Sequence, residues 1–116
     1  MGIYAIFQLA GTVLLLSVGQ VLFKIAATQI VLSNSIWSSL RNPTLLVALG
    51  VYGFATVLWI LVLRTIPLRL AYPFVAMAFV FVPIMAHFAL AEPLKINTFI
   101  GFILILSGVW VSVRGW

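Results

Sequence analysis

Few side chains in this chain can do chemistry, and their balance is lopsided. Glu92 is the only acid among 116 residues, against six Lys and Arg residues and one histidine, His87. An acid that carries protons through a bilayer has to sit inside an apolar stretch, and Glu92 lies between two of them. No nucleophile–base pair and no paired carboxylates exist, so an enzyme is not expected. Cysteine is absent, which excludes disulfides and thiolate metal sites. One His and one Glu do not make a conventional metal site within one protomer, and no cofactor is expected. The basic residues form no run, so nucleic acid is not an expected partner. Their scatter fits membrane topology and contact with anionic membrane lipid.

The cations are the more promising groups. At 100° per residue, Ser17, Gln20, Lys24 and Thr28 fall within one narrow arc, with Gln8 on the opposite side. A lysine beside amide and hydroxyl donors suits a phosphate. An ammonium at mid-bilayer costs about 2.5–3.5 kcal/mol on insertion scales. If the first helix is about 20 residues long, Lys24 sits at its end and snorkels to the edge. If the helix continues toward Val31, Lys24 is an intramembrane cation and a candidate anion site. A second face carries Arg69, Tyr72, Ala76, Val80, Pro83 and His87, with Pro73 and Pro83 bending the helix. It reads either as a cavity wall or as a kinked helix packed in a bundle, with Tyr72 an interface aromatic. A lone His87 reads more simply as a hydrogen-bonded structural group than as a proton carrier. Glu92 and Lys95 are spaced to form an interfacial ion pair. Alternatively, Glu92 binds an amine or gates one end of a cavity.

The elements that hold these residues follow from composition. Two thirds of the chain is hydrophobic and 6% is charged, whereas soluble domains carry roughly 25% charged residues. Crossing about 30 Å of hydrocarbon takes about 20 apolar residues as a helix. Four runs qualify, over residues 3–27, 44–63, 70–91 and 98–113, and none alternates as barrel strands do. The fourth is the shortest and recruits its flanks, Asn97, Arg114 and Trp116. The expected fold is an all-α membrane protein, a single domain over 1–116 with four transmembrane helices. The N-terminus lacks a cationic n-region, so residues 1–23 do not read as a cleaved signal peptide.

Asn42-Pro43 is a helix-start signal, and Asn97 is positioned to cap the fourth span. Residues 64–69 make a tight turn, and residues 91–95 close the third span. The longer connection, with Ile30, Val31, Ile36 and Trp37, reads as an interfacial segment. Tyr52, Thr56 and Trp59 share one face of the second span and could line a cavity or pack. Gly101, Gly108 and Ser112 form a small-residue stripe on the fourth span, which suits a packing or dimer seam. Arg64, Arg69 and Arg114 fall on one side of the membrane; Lys24, Arg41 and Lys95 fall on the other. Three against three gives the positive-inside rule little to act on, which permits insertion in either orientation.

The stretch Ser17-Val18-Gly19-Gln20-Val21-Leu22-Phe23-Lys24 resembles the first helix of the drug/metabolite transporter superfamily. So do Ile66-Pro67-Leu68-Arg69-Leu70-Ala71-Tyr72-Pro73, Glu92-Pro93-Leu94, and Gly101 followed by Ser107-Gly108-Val109. The match runs in order along nearly the whole chain. Small multidrug resistance exporters place a Glu eight residues before the lysine of the first helix. Leu16 stands there in this chain, so their proton-coupling chemistry does not carry over. The chain is more similar to the short subunits that flip aminoarabinose-phosphoundecaprenol across the bacterial inner membrane. That resemblance implies a flippase for a lipid-linked sugar, working as a homodimer or as a heterodimer with a second small four-span subunit. It implies substrate-binding roles in which Lys24, Arg69 and Lys95 hold the phosphate while Gln20, Tyr72 and Glu92 face the sugar. The alternatives are a small exporter of cationic drugs or metabolites, which needs Glu92 inside the pathway, and a non-transporting subunit of a membrane glycosyltransferase complex.

Overall fold

A computed structural model describes residues 2–30 and 36–114. Val31 and Trp116, named above as part of an interfacial segment and as a flank, lie outside them. The described residues form six helices and no strand: α1 (Ile3–Gln29), α2 (Ile36–Leu40), α3 (Pro43–Leu63), α4 (Leu68–Val75), α5 (Ala78–Leu90) and α6 (Ile96–Val113). Four stretches are long and apolar enough to cross a membrane: α1, α3, the combined stretch Leu68–Leu90, and α6. Dense apolar sequence leaves these helices no alternative in hydrocarbon, where each backbone polar group has to be satisfied within its own segment.

The helix ends follow local chemistry. The Leu45 N–H donates to Asn42 Oδ1 at 3.0 Å, and Pro43 opens α3, so Asn42-Pro43 starts the helix as expected. Asn97 does not act as a cap. Helix α6 begins at Ile96, and its N-cap is Lys95, which makes no side-chain capping bond. The cause lies upstream, in the way α5 ends. Ala91 takes a left-handed conformation (φ 55°) and turns the chain out of α5. Residues 92–95 then run without helix, so Asn97 stands two residues past the cap position. The His87 ring fixes this corner: its Nδ1–H donates to the Glu92 carbonyl at 2.8 Å. The expectation of a hydrogen-bonded structural histidine therefore holds.

Helix α1 packs on α3 and α5, and the main contacts of α6 are with α4 and α5, with Val113 reaching the buried cluster. The contact of α1 with α3 is closest at Gly19, where a Cβ would meet Tyr52 Cδ2 at 3.0 Å. Tyr52 in turn packs against Phe23 with ring centroids 5.5 Å apart. Without a hydrophobic drive inside lipid, such close approach at a small residue is what holds helices together. At one end of the bundle, Leu9 and Val13 of α1 form a buried cluster with Val62, Ile66, Leu70, Ala71 and Phe74. Burial then declines along the chain, from 33% of the most apolar window in α1 to 6% in α6. The whole is a slab of 53 × 37 × 18 Å, thin enough to leave one side of the helices uncovered.

Span three is broken rather than simply bent. A two-residue turn at Ala76–Met77 separates α4 from α5. Across it, Ala76 N–H donates to the Pro73 carbonyl and Met77 N–H to the Phe74 carbonyl, each at 3.0 Å. Pro73 brings no N–H to the helix ladder, and the chain tightens into i→i−3 bonds just after it. Pro83 stays inside α5.

Candidate functional site

Lys24 belongs to the middle of a helix turn, not to a helix end. Helix α1 runs on to Gln29, so Lys24 is five residues, or about 7.5 Å, short of its terminus. It is exposed, as is Gln20 one turn before it. The other two members of the polar arc are spent on their own helix. The Ser17 hydroxyl, fully buried, donates to the Val13 carbonyl at 2.8 Å, and the Thr28 hydroxyl donates to the Ile25 carbonyl at 2.6 Å.

The opposite end of the bundle carries an open groove of about 660 Å³ between span three and α6. Arg69, Tyr72 and Ala76 line it from one wall, and Gly108 and Ser112 from the other. Pro67 ends the preceding turn and starts α4, which sets Arg69 at the start of span three and Tyr72 about one turn further along it. Both side chains are exposed to the groove side, Tyr72 at 58%. The Ser112 hydroxyl donates back to the Gly108 carbonyl at 2.8 Å, so it turns toward a ligand only by giving up that bond. Phe79 also lines this groove, and it lines a second hollow of about 400 Å³ together with Gln20, Ala78, Val82 and Pro83. Phe79 is the one lining residue that the two spaces share.

Arg69 and Lys24 lie at opposite ends of one protomer. Arg69 adjoins Leu70, which shares the buried cluster with Leu9. Lys24 is fifteen residues past Leu9 along α1, about 22 Å of helix rise. Glu92 and Lys95 are at the Lys24 end, in the connection after α5, both exposed. Among the described residues they form no ion pair with each other. The structure therefore brings Arg69, Tyr72, Gly108 and Ser112 together, sets Gln20 in the adjoining hollow, and leaves Lys24, Glu92 and Lys95 on the far side.

Within the protomer, nothing lies within 4 Å of where a Cβ would stand on Gly101 or Gly108. These two glycines therefore make no close packing contact among the described residues. The aromatic face of α3 does not reach the groove: Tyr52 packs on Gly19 and Trp59 on the buried cluster. Phe79 is a lining residue that sequence reasoning missed, as are Val75 and Ile105. Phe79 lies on the flank of the Arg69–Tyr72–Ala76 face, and its i+3 spacing from Ala76 is the signal that marks it.

No family model and no solved structure matches the chain. Curated proteins do match. The chain is 34% identical over 97 residues to the probable 4-amino-4-deoxy-L-arabinose-phosphoundecaprenol flippase subunit ArnE of Pseudomonas fluorescens, covering 83% of this chain and 85% of that protein. It is 36% identical over 110 residues to the subunit named ArnF of Proteus mirabilis, covering 84% and 83%. It is 32% identical over 103 residues to an ArnE subunit of Pseudomonas paraeruginosa, covering 87% and 90%.

Proposed function

The chain belongs to the family of ArnE and ArnF flippase subunits, and from that premise we propose that it moves a polyprenyl-phosphate-linked amino sugar across the bacterial inner membrane. The observation that supports this most directly is the open groove at Arg69, which shares Phe79 with a second hollow at Gln20. A lipid-linked sugar needs such a path: polar enough for its head, and open along one side for a prenyl tail that stays in the bilayer. In this scheme Arg69 receives the phosphate at one membrane edge through a charge-assisted hydrogen bond, with Tyr72 beside it. Lys24, with Lys95 beyond it, receives the phosphate at the other edge. Because about 22 Å of helix separates the two cations, they act in turn, one for each leaflet. Glu92 stands at the far mouth and faces the departing sugar. A partner subunit covers the open side of the slab, either a second copy or another small four-span chain. Gly101, Gly108 and Ser112 are where its helix approaches closely. The turn at Ala76–Met77 lets α4 rock against α5, as discontinuous helices do in transporters.

Translocation of the lipid-linked amino sugar in reconstituted vesicles, with the partner subunit present if one is required, is the test. Arg69→Ala and Lys24→Ala are each expected to slow it tenfold or more, since one hydrogen bond to a charged group contributes about 1.5–3 kcal/mol. Unchanged transport in both variants rules out the two phosphate stations.

A further inference from the structure

The seam between α1 and α3 carries a groove of about 440 Å³ that the flippase reading leaves unused. It shares no lining residue with the Arg69 groove. Gln8, Gly11 and Leu15 line it from α1, and Leu58, Leu61 and Thr65 from α3 and the turn after it. Its polarity is graded along its length. The buried cluster holds Leu9 together with Val62 and Ile66, so Gln8 and Thr65 belong to one end of the bundle. Leu15 and Leu58 lie about 10 Å of helix rise further in. The Gln8 side chain is exposed and makes no hydrogen bond among the described residues. The Thr65 hydroxyl donates to the Val62 carbonyl at 3.4 Å, longer than a well-formed hydroxyl bond. Both groups are thus available at the mouth. Deeper in, the Thr12 hydroxyl is spent on the Gln8 carbonyl at 2.7 Å. Polar at the end and apolar inside is the order in which a membrane lipid presents its head and its chain.

Charge and shape favour that occupant. Arg64 directly precedes Thr65 and is exposed. Arg69 and Arg114 share its end of the bundle, since Leu70 and Val113 pack at the same buried cluster. No acid balances them there: Glu92 follows α5, at the opposite end. Helix α3 is long and apolar enough to span a membrane, so Arg64, just after it, falls near headgroup depth. Clustered cations at that depth attract anionic headgroups. A partner helix fits the groove less well. Helices that associate in lipid meet at small residues, and the α3 wall offers Leu58, Leu61, Val62 and Thr65. Gly11 gives the groove its depth, because nothing lies within 4 Å of where its Cβ would stand. A narrow, flexible chain can occupy that space.

We propose that the α1–α3 groove seats one anionic phospholipid, its phosphate held by Arg64 with Gln8 and Thr65 and one acyl chain lying along Gly11 toward Leu15 and Leu58. This lipid is a resident of one leaflet and not cargo, so the site stands apart from the transport reading. The test is native mass spectrometry of the full chain in detergent, titrated with phosphatidylglycerol or with phosphatidylcholine of the same acyl chains. The parent is expected to hold one phosphatidylglycerol about tenfold more tightly than phosphatidylcholine. Arg64→Gln is expected to remove that preference. Gly11→Leu fills the groove without changing charge and is expected to weaken phosphatidylglycerol about fivefold, through lost apolar burial. Arg114→Gln and Arg69→Ala each remove a cation from the same end outside the groove, and each should leave the preference within about twofold of the parent. A parent without preference overturns the site. So does Gly11→Leu with parental affinity, or Arg114→Gln as damaging as Arg64→Gln, which would reveal diffuse attraction to the charged end. Loss on Arg69→Ala alone would place the lipid in the groove of span three, and also overturns it. If Gly11→Leu does not fold, the comparison of Arg64→Gln with Arg114→Gln decides.

Discussion

Replacing Gly19 with alanine should weaken the α1–α3 seam by about 1 kcal/mol, and the structure gives the size of the effect. The added Cβ would stand 3.0 Å from Tyr52 Cδ2, 3.3 Å from Tyr52 Cβ and 3.6 Å from Tyr52 Cα. Carbon contacts are most favourable at about 3.5–4.0 Å, so the first approach is roughly 0.5 Å too close. The ring is held on its other side by Phe23, and Tyr52 Cβ moves only if α3 moves. Overpacking of this kind costs about 1–3 kcal/mol. Alanine's better helix propensity returns up to about 1 kcal/mol, which leaves the net near 1. Reversible unfolding in mixed micelles, as detergent composition is varied, measures it. A double-mutant cycle isolates the cause. In a Tyr52→Ala background the Cδ2 clash is gone and only the 3.3 Å Cβ approach remains, so Gly19→Ala should become nearly neutral. An equal cost in both backgrounds would refute the steric reasoning and place the effect in the backbone of α1 alone.

Three further outcomes follow from named features. Ala91→Gly should stabilise the protein by up to about 1 kcal/mol in the same unfolding assay, because the left-handed φ of 55° costs a non-glycine residue about 1–2 kcal/mol. Asn42→Ala should destabilise it by about 0.5–2 kcal/mol by removing the acceptor for the Leu45 N–H, the usual effect of losing an N-cap; an unchanged transition would show that the cap is idle. Because the chain has no cysteine, single-cysteine labelling in intact cells can report the ends: Arg64→Cys and Arg114→Cys should react from one side, and Arg41→Cys and Lys95→Cys from the other. Half-labelling of every site from each side would show insertion in both orientations.

The spans were legible because their signal is repeated over some twenty residues, and a few polar or kinking residues do not erase it. Asn42-Pro43 was legible for a different reason: cap chemistry is local, and the bond it makes is three residues away. Asn97 misled because its capping role depends on where Ala91 turns the chain, and nothing in an alanine announces a left-handed conformation. The face of span three was read correctly as far as Ala76. It could not be projected further because the turn at 76–77 ends the regular helix. The pairing of Arg69 with Gly108 and Ser112 was hidden for a tertiary reason: which helix lies across a groove is not encoded in the periodicity of either one. A sequence window ending at residue 27 leaves Lys24 three residues short of the helix end, and α1, which ends at Gln29, leaves it five residues short.

The decline in burial from α1 to α6 runs in the order in which a ribosome delivers the helices. Helix α1 emerges first and presents the surface on which α3 and α5 settle, so the first hairpin can pair before the rest of the chain exists. Helix α6 follows them and makes its main contacts with α4 and α5. Its entry into the bilayer rests on its own apolar residues and not on a neighbour's invitation. Damage to α1 is therefore inherited by every later helix, whereas damage to α6 stops at the rim of the groove it helps to form.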